Sequence, residues 1–126
     1  LIAAKMLMNW VFDNLEKRPV VSVPSALEVL HTKVGDCNEH ATLLTALLRA
    51  SGIPSRISVG LVYNGKGFFY HAWNEAFVGE WISMDATLNQ IPVDVGHIRI
   101  LYGNIERQVE IAGAVGKLEF ELLDYQ

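Results

Sequence analysis

The sequence contains a single cysteine, Cys37, among 126 residues. An intramolecular disulfide is therefore excluded, and so is a zinc site built from several cysteines. Basic residues are also scarce: Lys17-Arg18 is the longest basic run, and the net charge is −4. Nucleic-acid binding consequently has no electrostatic support. No apolar run approaches the length of a transmembrane helix, so direct membrane insertion is not expected.

The length of the chain fits one domain, which we place over residues 1–126. About half of the residues are hydrophobic and 19% are charged, which excludes a disordered chain. The mean hydropathy is positive. This favours either a tightly packed core or a face that packs against a neighbouring domain. A start at Leu1 favours a piece excised from a longer protein. The lone thiol is compatible with either cytoplasm or periplasm, and we see no signal peptide.

Three segments carry helix signals. Residues 1–17 have apolar residues at helical spacing up to Arg18-Pro19, and Pro24-Ser25 begins a short helix that runs through Leu30. The third segment is the clearest. Asp36 followed three residues later by Glu39 forms an acidic capping box ahead of the apolar run 37–50. Gly52 stands where a C-cap glycine is expected, so the start and stop signals agree.

The second half of the chain predicts an antiparallel sheet. Residues 55–63 alternate between apolar and polar, and Asn64-Gly65 is a strong hairpin signal that Lys66-Gly67 lengthens. We predict four strands, over residues 55–63, 68–77, 81–85 and 117–125. Helices followed by antiparallel strands indicate an α+β domain.

Cys37 is the first candidate for chemistry. A buried structural cysteine is common, but this one lies in the first turn of a predicted helix, where free backbone N–H groups and the helix dipole favour an anion. The thiolate is the reactive form of cysteine. The backbone N–H of Cys37 is then the natural first donor to an oxyanion. The adjacent charge of Asp36 opposes ionisation of the thiol.

A thiolate nucleophile needs a partner that handles protons, and His71 is our candidate. If residues 77–79 form a three-residue loop, His71 lies directly opposite Asp85 on one face of the sheet. That carboxylate would orient the imidazole and stabilise its charged form. A two-residue loop would place Asp85 on the other face. Alternatively, His71 is an ordinary core histidine.

Two other arrangements remain open. His40 lies one helical turn from Cys37 and is a rival base, although no carboxylate is obviously placed to orient it. Cys37, His40, His71 and Asp85 could also form a zinc site, but this spacing is a weak metal signal. We expect neither a metal nor another cofactor.

Three blocks of sequence resemble the transglutaminase-like superfamily. They are GDCNEHA at residues 35–41 with LLRASGIPSR at 47–56, HAWNE at 71–75, and WISMDAT at 81–87. They occur in the family's order and cover about residues 30 to 90. The bacterial branch, whose members are often described as cysteine proteases, is the most similar. The family often has proline after its aspartate, where this chain has Ala86.

The resemblance implies a papain-like core in which the nucleophile helix packs on the antiparallel sheet. It assigns the triad roles to Cys37, His71 and Asp85. It also implies acyl transfer through a thioester, and we favour hydrolysis of peptide or amide bonds, with a protein or peptide as substrate. The alternatives are glutamine crosslinking, hydrolysis of glycan-linked amides, and a catalytically silent binding module of a larger protein.

Overall fold

The computed structural model describes residues 1–18 and 25–103. They form three helices and six strands. In chain order, these are α1 (Ile2–Asn14), β1 (Glu16–Lys17), α2 (Ala26–Thr32), β2 (Val34–Gly35), α3 (Cys37–Ala50), β3 (Ser55–Tyr63), β4 (Phe68–Phe77), β5 (Trp81–Met84) and β6 (His97–Tyr102). Strands β1 and β2 form a short parallel pair, and the other four form an antiparallel sheet in the order β5-β4-β3-β6. The predicted α+β class is confirmed. The predicted strand at residues 117–125 lies outside the described residues.

Helix α3 begins and ends where the sequence signals predict. The Asp36 side chain caps the helix, and its backbone N–H donates to Glu39 Oε2 over 2.9 Å, so both halves of the capping box are present. Gly52 follows the helix with φ of +83°, the left-handed conformation of a C-cap glycine. Gly35 lies so close to the Glu39 side chain that any Cβ there would collide with it. The capping box therefore requires glycine before Asp36.

Most of α3 is buried, and its apolar side faces α1 and the sheet. Leu44 and Leu48 have no exposed surface, and they pack with Met8 and Val11 of α1 and with Met84 of β5. Asn74 of β4 adds a polar contact, because its amide donates to the Thr45 hydroxyl and, over 3.1 Å, to the Ala41 carbonyl oxygen. This packing holds the N-terminal end of α3 against the sheet.

Helix α1 is shorter than predicted. It ends at Asn14, and Leu15 is extended, with φ of −93° and ψ of 129°. The chain then pairs with β2, since Glu16 N–H donates to the Lys33 carbonyl oxygen over 2.8 Å. Pairing with β2 satisfies backbone groups at this point, so the helix stops three residues before the expected boundary.

The hairpin between β4 and β5 begins and ends where the predicted strands at 68–77 and 81–85 place it. Phe77 pairs with Trp81 and the loop is Val78, Gly79 and Glu80, so the condition under which His71 would lie directly opposite Asp85, a loop of residues 77–79, is not met. The rings of Phe77 and Trp81 lie 5.5 Å apart, and this aromatic pair keeps Phe77 in the strand. The register moves by two residues, so every side chain keeps its face. Asp85 therefore stays on the face of His71, although it is not directly opposite.

Strand β5 is also one residue shorter than predicted. It ends at Met84, and Asp85 instead forms an isolated bridge with Gln90 through two backbone hydrogen bonds of 2.9 and 3.1 Å. Because β5 pairs only with residues 74–77 of β4, the first half of β4 extends beyond it. His71 lies in that extension, next to the loop that follows β5.

Strand β6 had no predicted counterpart. It pairs with β3, and a bulge between Val59 and Gly60 shifts the register there. Gly60 packs directly on the backbone carbonyl of Ile98, leaving no room for a side chain. This close approach places His97, the first residue of β6, opposite Val62. Among the described residues, no helix is both long and apolar enough to cross a bilayer.

Candidate active site

Cys37 is the first residue of α3 and is a free, buried thiol with 7% of its surface exposed. It packs against Ala41 of its own helix, Val59 of β3 and Ala72 of β4. Its thiol interacts with the His71 side chain and helps to raise the pKa of that histidine. The helix start and the extended part of β4 therefore bring together the predicted thiol and the predicted base.

His71 connects the thiol to the predicted carboxylate. Its Nε2 lies 2.7 Å from Asp85 Oδ2, and both side chains are almost completely buried. Since the carboxylate only accepts, Nε2 carries the proton of this hydrogen bond. The remaining nitrogen, Nδ1, is then the one available to Cys37. The three predicted site residues thus lie together, with His71 hydrogen-bonded to Asp85 and interacting with the Cys37 thiol.

The electrostatics of the site favour the charged forms of both His71 and Asp85. Burial alone would lower the pKa of His71, but hydrogen bonds to Asp85 and Cys37, with the attraction of both, raise it to about 10. Burial would raise the pKa of Asp85, yet hydrogen bonds from His71 and His97 hold it well below the usual value. These interactions favour the protonated form of His71 beside an ionised Asp85.

The Asp85 carboxylate has a partner at every side. Its Oδ1 accepts from the backbone N–H groups of Thr87 and Leu88, at 2.9 and 3.1 Å. Its Oδ2 accepts from His71 and from His97 Nε2, the latter at 2.8 Å. Four donors fix the orientation of the carboxylate, which explains how a fully buried charge is tolerated.

His97 was not among the residues assigned a role from the sequence. Its side chain has no exposed surface, and its second nitrogen, Nδ1, lies 2.9 Å from Asp94 Oδ1. Burial lowers the pKa of His97, but the hydrogen bonds to Asp85 and Asp94 outweigh this and raise it. The sequence shows that Asp94 lies three residues before His97. This spacing alone does not predict that His97 reaches Asp85, because the position of β6 in the sheet must be known first.

His40, the rival base considered from the sequence, is hydrogen-bonded to the backbone and not to a carboxylate. Its Nδ1 donates to the Asp36 carbonyl oxygen over 2.7 Å, which leaves Nε2 as the unprotonated nitrogen of a neutral ring. That nitrogen is buried and has no hydrogen-bond partner among the described residues. Burial lowers the pKa of His40 despite the nearby carboxylates. The structure thus pairs His40 with the backbone and His71 with the carboxylate.

A cluster with metal-ligating side chains is present, but it differs from the one considered in the sequence. His71, Asp85 and His97 offer ligand atoms within 4.8 Å of one another, whereas Cys37 and His40 are not in the group. The two N···O distances of 2.7 and 2.8 Å are hydrogen-bond lengths. Two ligands of a tetrahedral zinc ion would lie roughly 3.3 Å apart. The geometry fits shared protons better than a shared metal ion.

The backbone N–H of Cys37, expected to serve an oxyanion, already has a partner. It donates to Asp36 Oδ1 over 2.8 Å. Asp36 and His71 both line a cavity of about 380 Å³. Its other lining residues in the described part of the chain are Val62, Tyr63, Asn64, Phe69, Tyr70, Thr87, Leu88, Gln90 and Asp94. A substrate entering this cavity would meet the Asp36 carboxylate and the imidazole together.

Comparison with solved structures supports the fold. A protein of Cytophaga hutchinsonii named as a "Putative Cysteine Protease" matches with 30% identity and a TM-score of 0.66, over 79% of this chain but 35% of that one. Calcium-bound LapG of Legionella pneumophila matches with 18% identity and a TM-score of 0.67, over 83% of this chain and 65% of its own. The chain thus spans only part of the length of these relatives.

Sequence comparison identifies the family. No curated protein matches the chain. The family model of the transglutaminase-like superfamily matches residues 2–86, a segment that contains Cys37, His71 and Asp85. The matched segment is most of the chain, and it covers α3 and the strand and loop that carry the histidine and the carboxylate. The predicted resemblance is confirmed, and this chain belongs to the transglutaminase-like superfamily.

Proposed function

We propose that this domain is a thiol-dependent amidase that cleaves peptide or amide bonds through a thioester on Cys37. The observation that carries the proposal is the buried hydrogen bond between His71 and Asp85 beside the buried Cys37 thiol, which interacts with His71. A structural role for these residues would not require three ionisable groups in line. Burying them costs free energy that apolar residues of similar size would not.

The first half of the reaction would use the charged pair. The Cys37 thiolate attacks the carbonyl carbon of the amide, and the C–N bond breaks as His71 gives its Nδ1 proton to the leaving amine. Because Asp85 holds Nε2–H, the proton that leaves is the one facing Cys37. The products of this half are a free amine, a neutral His71 and an acyl group on sulfur.

The second half would use His71 as a base. Neutral His71 takes a proton from water while the water oxygen attacks the thioester, and the C–S bond breaks to return the thiolate. If an amine replaces water, the same steps form a crosslink. For the Cys37 N–H to stabilise the oxyanion in either half, it must exchange Asp36 Oδ1 for the substrate oxygen.

The side chains that line the cavity are compatible with a segment of a protein or peptide as substrate. Beside His71, its walls carry aromatic and aliphatic side chains such as Tyr70, Phe69 and Val62. Cavities of this size that combine apolar walls with a few polar groups are typical ligand sites. Crosslinking and the hydrolysis of glycan-linked amides use the same chemistry, so they are alternatives that a substrate assay must separate.

The reactivity of Cys37 is the first test. We expect iodoacetamide to alkylate the native chain readily at pH 6, where an ordinary thiol with a pKa of ~8.5 is almost entirely protonated. His71→Ala should slow alkylation at pH 6 by up to roughly 300-fold, because only about one in 300 of such ordinary thiols is ionised at that pH. His31→Ala, on the exposed side of α2, is the matched control and should change nothing.

Equal rates in the native chain and in His71→Ala would overturn the proposal and favour a binding module. If alkylation shows that Cys37 is reactive and depends on His71, incubation with a mixed peptide library and a fluorescent primary amine distinguishes hydrolysis from transfer to an amine. New peptide termini indicate hydrolysis, and incorporation of the amine indicates transfer. Cys37→Ser should abolish both.

A further inference from the structure

His97 is bound between two carboxylates. Its Nε2 lies 2.8 Å from Asp85 Oδ2, and its Nδ1 lies 2.9 Å from Asp94 Oδ1. The ring also meets the Trp73 ring edge-on, at 5.0 Å and 86°. Its orientation is therefore fixed from three sides, and both nitrogens face oxygen atoms that accept.

This geometry dictates the protonation of the ring. A neutral imidazole has one N–H and one lone pair, and a lone pair facing a carboxylate would be repelled. Only an imidazolium donates to both Asp85 and Asp94. Both nitrogens of His97 thus hold a proton as long as these two carboxylates are ionised. The two carboxylates accordingly raise the pKa of His97 in spite of its burial.

We propose that His97 is a positioning residue of the active site: as a buried imidazolium between Asp85 and Asp94, it orients Asp85 and limits how strongly that carboxylate holds the proton on His71. This inference rests on the proposed thioester chemistry. It assigns a role to Asp94 as well: this more exposed carboxylate accepts from His97 Nδ1 and favours the charged form of His97.

The charge of His97 matters in the second half of the reaction. Once Cys37 is acylated, its thiolate no longer stabilises the His71 imidazolium, and Asp85 is the remaining anion bonded to His71. An unshared Asp85 would keep His71 protonated and unable to take a proton from water. With its Oδ2 shared with His97, whose ring lies 5.8 Å from that of His71, the carboxylate holds the proton less strongly. Removal of that charge should slow deacylation.

The charged and titratable groups facing His97 come from three parts of the chain. They are Asp85 in the loop after β5, Asp94 in the loop before β6, and His71 on β4. Asp85 and Asp94 favour its charged form, whereas His71 opposes it. A test must therefore separate the charge of His97 from its hydrogen bond to Asp85.

Histidine side-chain ¹⁵N NMR of the full chain, in a Cys37→Ala background, can distinguish the effect of the charge from that of the hydrogen bond by measuring the titration of His71. That background removes the thiolate, as acylation does. His97→Gln retains an amide donor for Asp85 but no charge, and it should raise the midpoint of the His71 titration by about one pH unit. Arg99→Gln is the matched control, because it removes a positive charge from an exposed position on the same strand and should leave the midpoint in place.

Asp94→Asn provides a second, milder variant, since Asp94 is exposed and its loss should not disturb packing. In the parent, both His97 nitrogens should remain protonated at pH 7, and Asp94→Asn should lower the pH at which His97 loses a proton. A neutral His97 at pH 7 would overturn the inference. An unmoved His71 midpoint in a folded His97→Gln protein would overturn it too. Neither result depends on Cys37 alkylation, so this inference and the proposed function can fail separately.

Discussion

The two halves of α3 bury different kinds of side chain. The C-terminal half presents Leu44 and Leu48 to an apolar cluster with α1, and neither has exposed surface. The first turn instead buries Cys37, Glu39 and His40, each at most 7% exposed. One continuous helix of 14 residues therefore carries both an apolar core and a polar site.

The difference shows which part of the helix contributes stability. Buried leucines gain free energy from leaving water and from close packing. Buried polar groups only recover what they lose, provided that each has a partner. Glu39 accepts from the Asp36 N–H and His40 donates to the Asp36 carbonyl oxygen. The apolar half thus holds the polar half in place, and substitutions should separate stability from reactivity.

The largest effect on stability is expected in the apolar half. Leu44→Ala should lower the free energy of unfolding by about 2–5 kcal/mol, because it removes a fully buried side chain and leaves a cavity. The alkylation rate of Cys37 at pH 6 should be unchanged in the protein that remains folded. Urea unfolding followed by fluorescence measures the first quantity, and iodoacetamide labelling in buffer measures the second.

Leu27→Ala on α2 is the control for this change, since Leu27 is 66% exposed. It should alter the unfolding free energy by less than about 0.5 kcal/mol. If Leu44→Ala also slowed alkylation in the folded state, the two halves of α3 would be coupled and the separation would be wrong.

The polar site beside the first turn of α3, which includes His97 and Asp85, should make stability depend on pH. The pKa of His97 is raised in the folded protein, so its contribution is complete below its unfolded value of ~6.5 and is lost as pH rises through the folded value. The difference in unfolding free energy between the native chain and His97→Gln should therefore be largest near pH 5.5 and shrink towards pH 8.5. Each unit by which the pKa is raised corresponds to about 1.4 kcal/mol. If the difference in unfolding free energy stayed constant across this range, folding would not raise the pKa of His97.

Asp85 should act on the acid side with the opposite sign. Its pKa is lowered on folding, so its contribution is complete above ~3.9 and is lost as pH falls further. Asp85→Asn should accordingly flatten the decline in stability below pH 4. Urea unfolding at pH 3, 4 and 5 would show this. If the unfolding free energy of the variant declined as steeply as that of the native chain, other carboxylates would be responsible for the loss of stability in acid.

Local signals in the sequence were sufficient for α3 and for the first hairpin. Asp36, Glu39 and Gly52 mark the ends of the helix, and the loop at Asn64-Gly65 is formed as predicted, with the Asn64 side chain accepting from two backbone N–H groups. These features depend on residues within a few positions of one another. The face shared by His71 and Asp85 was also predictable, because it depends only on whether the loop has an odd or even number of residues.

The rest of the site depends on contacts between distant segments. The position of Asp85 beside His71 depends on where β5 ends and on the bridge between Asp85 and Gln90, which local signals do not foresee. His97 reaches Asp85 because β6 pairs with β3, and that pairing needs the close approach of Gly60 to the Ile98 carbonyl. A histidine beside a distant carboxylate has no signature in the sequence. The fourth member of the site could therefore be found only from the structure.

Asp36 tests the comparison at the boundary between the two halves, with the smallest expected effect on stability. Asp36→Ala removes the cap of α3 and should lower the unfolding free energy by about 0.5–2 kcal/mol. It also removes a negative charge next to Cys37 and frees the Cys37 N–H, so alkylation at pH 6 should become faster. Asp36→Asn keeps an acceptor and should lose less stability while gaining similar reactivity. If both variants instead reacted more slowly, Asp36 would be required to hold Cys37 in position. If Asp36→Ala lowers the unfolding free energy but speeds alkylation, then Asp36 stabilises the first turn of α3 while making the Cys37 thiolate harder to form.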